Sequence, residues 1–154
     1  KQDAASIIAQ QRRCGVNTIQ LCDRLVSGSY QDLRRAMPGI SIVQVIHVTG
    51  EESIEEALSV APYVDGILLD SGDPFSPVKE LGGTGRTHDW SISKRIRELL
   101  DIPVFLAGGL NPDNVAEAIR RVGPFGVDVC SGVRTNGRLD EVKLSRFFSR
   151  IAAI

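Results

Sequence analysis

Strand-sized apolar runs alternate with amphipathic stretches along the whole chain, and that order limits the fold more than any other feature. Apolar runs at residues 17–22, 41–48, 65–70, 104–107 and 126–130 read as strands. Between them lie helical stretches near residues 2–13, 30–37, 52–61, 89–100, 111–122 and 140–151. Ser29 can cap the second, with Asp32 at its N3 position. Thr49-Gly50-Glu51-Glu52 has capping-box spacing, and Ile54, Ala57, Leu58 and Ala61 behind it share one helical face. Asn111-Pro112 reads as an N-cap followed by proline at the first helical position, with Val115, Ala118, Ile119 and Val122 forming its apolar face. In the last helix Leu144, Phe147, Phe148 and Ile151 should point inward. Strand–helix alternation of this kind predicts an α/β fold with a parallel sheet and helical crossovers.

Two architectures have that pattern, an open doubly wound sheet and a closed (β/α)8 barrel. Thr18, Gln20 and Cys22 alternate with Ile19 and Leu21, and Asp128 interrupts an apolar strand. One polar strand face favours a barrel, whose upper interior lines a site.

The 154 residues suit one domain, 42% are hydrophobic and 24% charged, and the formal net charge is −1. No basic stripe is present to neutralise nucleic-acid phosphates. The apolar runs are too short for a membrane span. Three cysteines, Cys14, Cys22 and Cys130, include no C-x-x-C pair, which argues against a disulfide framework and fits a reducing cytoplasm. The two histidines, His47 and His88, are far apart and lack acidic companions, so no metal site is expected. His88 is expected to order the start of its helix, and His47 to pack or hydrogen-bond at a strand end.

Ligands of parallel α/β folds meet the C-terminal ends of the strands. Asp70 closes an apolar strand there. Desolvation would fit it for general-acid work; equally, it could cap the following loop through Asx hydrogen bonds. Gly108 and Gly109 end the next strand before the Asn111 cap, and Ser131 and Gly132 follow the last. Paired glycines let an anion approach backbone amides closely, and a helix N-terminus favours it. The bland alternative is two tight turns. Gly82-Gly83-Thr84-Gly85 fits no nucleotide motif and reads as a lid or as a surface loop.

Taken together, Leu68-Leu69-Asp70, Gly82 to Trp90, Leu106 to Val115 and Gly126 to Val133 resemble the phosphoribosylanthranilate isomerase family in order and spacing. The resemblance covers essentially the whole chain. It implies a (β/α)8 TIM barrel of which about five β/α units, family strands four to eight, are present in a partial domain over residues 1–154. It also implies an Amadori rearrangement of an aminoaldose phosphate in tryptophan biosynthesis, with no cofactor and no metal. Asp70 would be the general acid and Gly108, Gly109, Ser131 and Gly132 the phosphate cradle. Gln20, Cys22, Asp128 and Gly83 would support them.

The chain departs from the family pattern in three ways. Nothing matches the first-strand K-x-C-G cysteine base or the second-strand arginine, and Gln20-Leu21-Cys22-Asp23 stands where the family reads Q-L-H-G. A complete barrel needs roughly 200 residues or more. The expectation is therefore an upstream segment that completes the sheet, with the fragment alone inactive or self-associating. Against the isomerase stand a non-catalytic phosphate-binding or interaction protein, and a metal-dependent pentulose-phosphate epimerase whose ligands are not seen.

Overall fold

A computed structural model describes residues 2–72 and 87–154. Five parallel strands form one sheet: β1 (Thr18–Leu21), β2 (Ser41–His47), β3 (Gly66–Asp70), β4 (Val104–Leu106) and β5 (Gly126–Val127). Their spatial order is their chain order, and every neighbouring pair is parallel. A doubly wound sheet reverses its direction of growth at a switch point; this sheet does not.

The helices are α1 (Ala4–Cys14), α2 (Tyr30–Ala36), α3 (Glu52–Val60), α4 (Trp90–Leu99), α5 (Val115–Val122) and α6 (Glu141–Ala152). A short hairpin, β6 (Arg134–Thr135) with β7 (Arg138–Leu139), precedes α6. It was not expected from the sequence.

Local chemistry explains most of the helix starts. Asp3 Oδ1 accepts the Ser6 N–H at 2.8 Å at the head of α1. The expected box opens α2: Ser29 Oγ accepts the Asp32 N–H at 3.2 Å, and Asp32 Oδ2 accepts the Ser29 N–H at 2.9 Å. The box expected at Thr49 does not form. Thr49 Oγ1 donates to Glu52 Oε1 at 2.8 Å, and Ser53 Oγ accepts the Thr49 N–H at 3.1 Å. Ser53, buried behind Thr49, takes the amide that the Glu52 carboxylate was expected to reach. The regular turns of α5 begin at Val115, later than Asn111-Pro112 suggested. Asn111 still anchors the preceding turn, its Oδ1 accepting the Asp113 N–H at 2.9 Å.

The strands divide the apolar residues between two faces, as their period of two requires. Leu21, Ile42, Ile46, Ile67, Leu69, Val104 and Leu106 pack with residues of all six helices in the main core. The opposite face carries a separate small cluster, Val45, Leu68 and Ala107, with Val43 and Phe105 partly buried beside it. Val45, Leu68, Phe105 and Gly126 stand in register across four strands. The Phe105 ring fills the space left by glycines on both neighbouring strands. A Cβ at Gly126 would lie 3.1 Å from it, and one at Gly66 3.5 Å.

One buried polar side chain fastens the helix side. Gln44 Nε2 donates to the carbonyls of Leu21 at 3.1 Å and Val45 at 3.0 Å, while its Oε1 accepts from Tyr30 Oη at 2.8 Å. This satisfies both ends of the amide and ties β2 to the end of β1 and to α2.

Phe148, expected to point inward, is 62% exposed, and Leu58, on the apolar face of α3, is 43% exposed. In each helix the narrower buried stripe is filled by neighbours, Phe147 in α6 and Ile54 with Ala57 in α3. The fifth strand is also shorter than expected, although the Asp128 N–H continues the ladder to Leu106 O at 2.9 Å. Leu69 is fully buried, so Leu69→Ala should cost about 2–5 kcal/mol in denaturant unfolding. Phe148→Ser should stay within about 0.5 kcal/mol.

Candidate active site

The sheet brings its strand ends together at one edge, and the residues singled out there converge. Asp70, Gly108, Gly109, Asp128 and Ser131 line one small cleft of about 40 Å³ between the ends of β3, β4 and β5. Gly132 seals its side by backbone contact: a Cβ there would fall 1.9 Å from the Leu110 carbonyl oxygen. Gly108 has φ +82°, and a Cβ on it would meet Ser71 N at 2.8 Å. Three consecutive strand-end loops are thereby packed backbone against backbone. Only glycine permits either approach.

Asp70 is buried at the end of β3. One carboxylate oxygen accepts the Ser71 N–H at 2.8 Å, so the loop-capping role is present. No described residue bonds the other oxygen, and the side chain lines the cleft. Capping and proton donation are therefore compatible in one carboxyl group.

His47 stands in register beside Asp70 on the same sheet face. It hydrogen-bonds at its strand end as expected, Nε2 to the Cys22 carbonyl at 3.0 Å. A carbonyl only accepts, so Nε2 carries the proton. Its Nδ1 is buried and has no partner among the described residues. This neighbour of Asp70 was legible only as a strand-end residue, because strand register is not written in the sequence.

His88 also orders its helix start as expected, with Nε2 2.6 Å from Ser93 Oγ. Its position is more informative than that. Burial pushes its pKa down to about 4, against the opposing pull of the Asp70 and Asp89 charges. A neutral imidazole thus sits within electrostatic reach of the candidate acid.

Gln20 and Cys22 lie apart from this cleft. They share the exposed polar face of β1 and line a hollow of about 530 Å³ between β1 and α1, with Gln20 Nε2 3.8 Å from Cys22 Sγ. A hollow of about 670 Å³ between α2 and α3 holds none of the expected site residues. Size alone therefore does not mark the site. Gly83 lies outside the described residues. Among the described residues no cluster of acids, histidines and cysteines could hold a metal ion, and no helix is long and apolar enough to cross a membrane.

Residues 1–150 match the family model for N-(5'-phosphoribosyl)anthranilate (PRA) isomerase. The chain belongs to the phosphoribosylanthranilate isomerase family. It is 40% identical over 149 residues to N-(5'-phosphoribosyl)anthranilate isomerase 2 of Methanosarcina mazei, covering 96% of this chain and 65% of that protein. A relative from Methanothrix thermoacetophila is 40% identical over 136 residues, 88% of this chain and 61% of its own length. The chain thus spans just under two thirds of these curated relatives.

Among solved structures, the isomerase of Thermococcus kodakaraensis superposes with a TM-score of 0.72 at 32% identity, over 98% of this chain and 70% of that one. That of Thermotoga maritima gives 0.74 at 28%, over 100% and 70%. A family structure in complex with reduced 1-(o-carboxyphenylamino)-1-deoxyribulose 5-phosphate gives 0.71 at 26% identity, over 100% and 68%.

Burial of neutral His88 has a definite pH signature. The unfolded imidazole takes a proton near pH 6.5, the folded one only near 4. Between these values the unfolded state binds more protons, so stability falls as pH falls through that window. The loss should reach up to about 3 kcal/mol. Urea unfolding from pH 7 to 4 should show it, and His88→Gln should flatten the curve.

Proposed function

We propose that this chain supplies strands four to eight of a (β/α)8 barrel that isomerises N-(5'-phosphoribosyl)anthranilate to 1-(2-carboxyphenylamino)-1-deoxyribulose 5-phosphate in tryptophan biosynthesis. The observation that carries this reading is convergence. One carboxyl group and two glycine-bearing loops, from three consecutive strands of a family member, face one cleft. The complex of the solved relative with a sugar-phosphate analogue supports the substrate class.

The reaction moves protons and needs no redox partner. Asp70 protonates the furanose ring oxygen, and the ring opens to a Schiff base. A general base then takes the C2′ proton, and the enolamine tautomerises to the aminoketose. Gly108 and Gly109, with Ser131 and Gly132, hold the phosphate through backbone amides and a hydroxyl, so the sugar reacts from a fixed position. Asp128, exposed at the cleft edge, lends polar support, and Gln20 and Cys22, apart from the cleft, are assigned supporting roles by their match to the family's fourth strand. Cys22 replaces the family's histidine and alters the donor available there.

The general base and the second-strand arginine have no counterpart among these residues. In addition, β1 and β5 are edge strands, and Val43 and Phe105 are only partly covered. The reading therefore includes completion of the sheet by an N-terminal β/α segment, with residues 1–154 alone inactive and prone to self-associate. A non-catalytic phosphate-binding protein is favoured by the same missing base.

Assay of the 154-residue chain and of a version extended by the family's first three β/α units separates these. The extended enzyme should turn over phosphoribosylanthranilate, and Asp70→Asn should lower kcat by about 10²–10⁴-fold while leaving phosphate binding in place. Phosphate binding without turnover in the extended protein would establish the non-catalytic reading. Full activity with Asn at position 70 would remove Asp70 from the mechanism.

A further inference from the structure

Glycine freedom lets the loop after β4 approach an anion, but it does not decide which way the loop's peptides face. Two asparagines do. Asn114 Nδ2 donates to the Gly109 carbonyl at 3.0 Å, and its Oδ1 accepts the Asn111 N–H at 2.8 Å. Asn111 Nδ2 donates to the same Gly109 carbonyl at 3.3 Å, and its Oδ1 accepts the Asp113 N–H at 2.9 Å. Each carboxamide is engaged at both ends, so neither can rotate by half a turn without setting donor against donor and acceptor against acceptor.

The Gly109 carbonyl is therefore drawn toward the start of α5 by two donors. A trans peptide is planar, with its C=O and N–H pointing in opposite directions. Fixing this carbonyl fixes the Leu110 N–H on the other side. No described residue accepts from the N–H groups of Gly108, Gly109 or Leu110. Gly108 and Gly109 both have positive φ, +82° and +63°, and the absence of a Cβ at Gly109 removes one of the two side chains that would otherwise resist a flip of the Gly109–Leu110 peptide. A flipped Gly109 carbonyl would leave the asparagines and present its negative end to an approaching anion.

We propose that Asn114, backed by Asn111, is a positioning residue that holds the Gly109 carbonyl away from the anion site and so sets the affinity for the substrate's phosphate group. This rests on the phosphate-cradle reading above. The cradle donates from its backbone, and the asparagines act one step behind it, by aiming the peptide.

Neutral variants test it without adding a charge near the anion. In the extended enzyme and in Asn114→Ala and Asn111→Ala, inorganic phosphate binding is measured by calorimetry, with steady-state kinetics and thermal unfolding alongside. Asn114→Ala should raise the phosphate Kd by about tenfold, the scale of one hydrogen bond to a charged group. KM should rise by a larger factor than kcat falls. Asn111→Ala, which removes only the longer of the two bonds to Gly109, should give a smaller change in the same direction.

A purely structural role would lower the unfolding temperature and leave the Kd of the folded protein unchanged, and that result in Asn114→Ala overturns the proposal. If Asn114→Ala does not fold, Asn111→Ala decides, and an unchanged Kd there overturns it. If the unsubstituted enzyme fails to bind phosphate, the cradle reading itself is wrong and this inference falls with it. Binding that is equally tight in both variants rejects the asparagine role alone.

Discussion

Strands that add to the sheet in chain order, all parallel, force each crossover to return on the same side. The rest of the molecule follows from that constraint. Each of the six described helices contributes to one large core on one face of the sheet, and the other face is left to side chains at matched registers. There the polar and acidic residues of successive strands, Gln20, His47, Asp70 and Asp128, come to the same side of the sheet near its C-terminal edge. None of these residues is close to another in sequence. A parallel register places strand ends side by side, so Asp70 and Asp128 line one cleft with His47 beside Asp70, while Gln20 lies farther along the same face on β1.

The edge near the cleft is closely packed for a specific reason. Its loops are not tethered mainly by long side chains that lose entropy on ordering. Backbone lies directly on backbone at Gly132 and Leu110, and at Gly108 and Ser71. Such contacts leave few alternative positions. Such packing suits the proposed reaction, in which the position of the reacting group relative to one carboxyl matters most.

Much of this was legible in the sequence, and the illegible parts share a cause. Alternating strand and helix periods fixed the class of fold, and the strand-end positions of Asp70, Gly108, Gly109 and Ser131 pointed to the cleft. What the pattern does not encode is lateral position. The register that sets His47 against Asp70, and the packing that buries Phe147 while exposing Phe148, belong to tertiary contacts. The Thr49 box failed for a related reason: the pattern names a donor and an acceptor at the right spacing, but Ser53, held under His47 O at 3.3 Å, competes for the same amide. Gln44 was missed because a glutamine inside an apolar strand has no local signal. Its partners, Tyr30 and the Leu21 carbonyl, come from elsewhere in the chain.

The ring of Phe105 lies over two glycines that flank it on adjacent strands. At position 126 an added Cβ would crowd only that ring, at 3.1 Å, whereas at position 66 the tighter neighbour is the Pro103 carbonyl oxygen at 3.2 Å and the ring lies at ordinary contact distance. Positions 105 and 126 thus share one allotment of volume, while backbone holds position 66 small. Homologues should therefore trade bulk between 105 and 126 as a pair, with 66 staying small whatever its neighbours do.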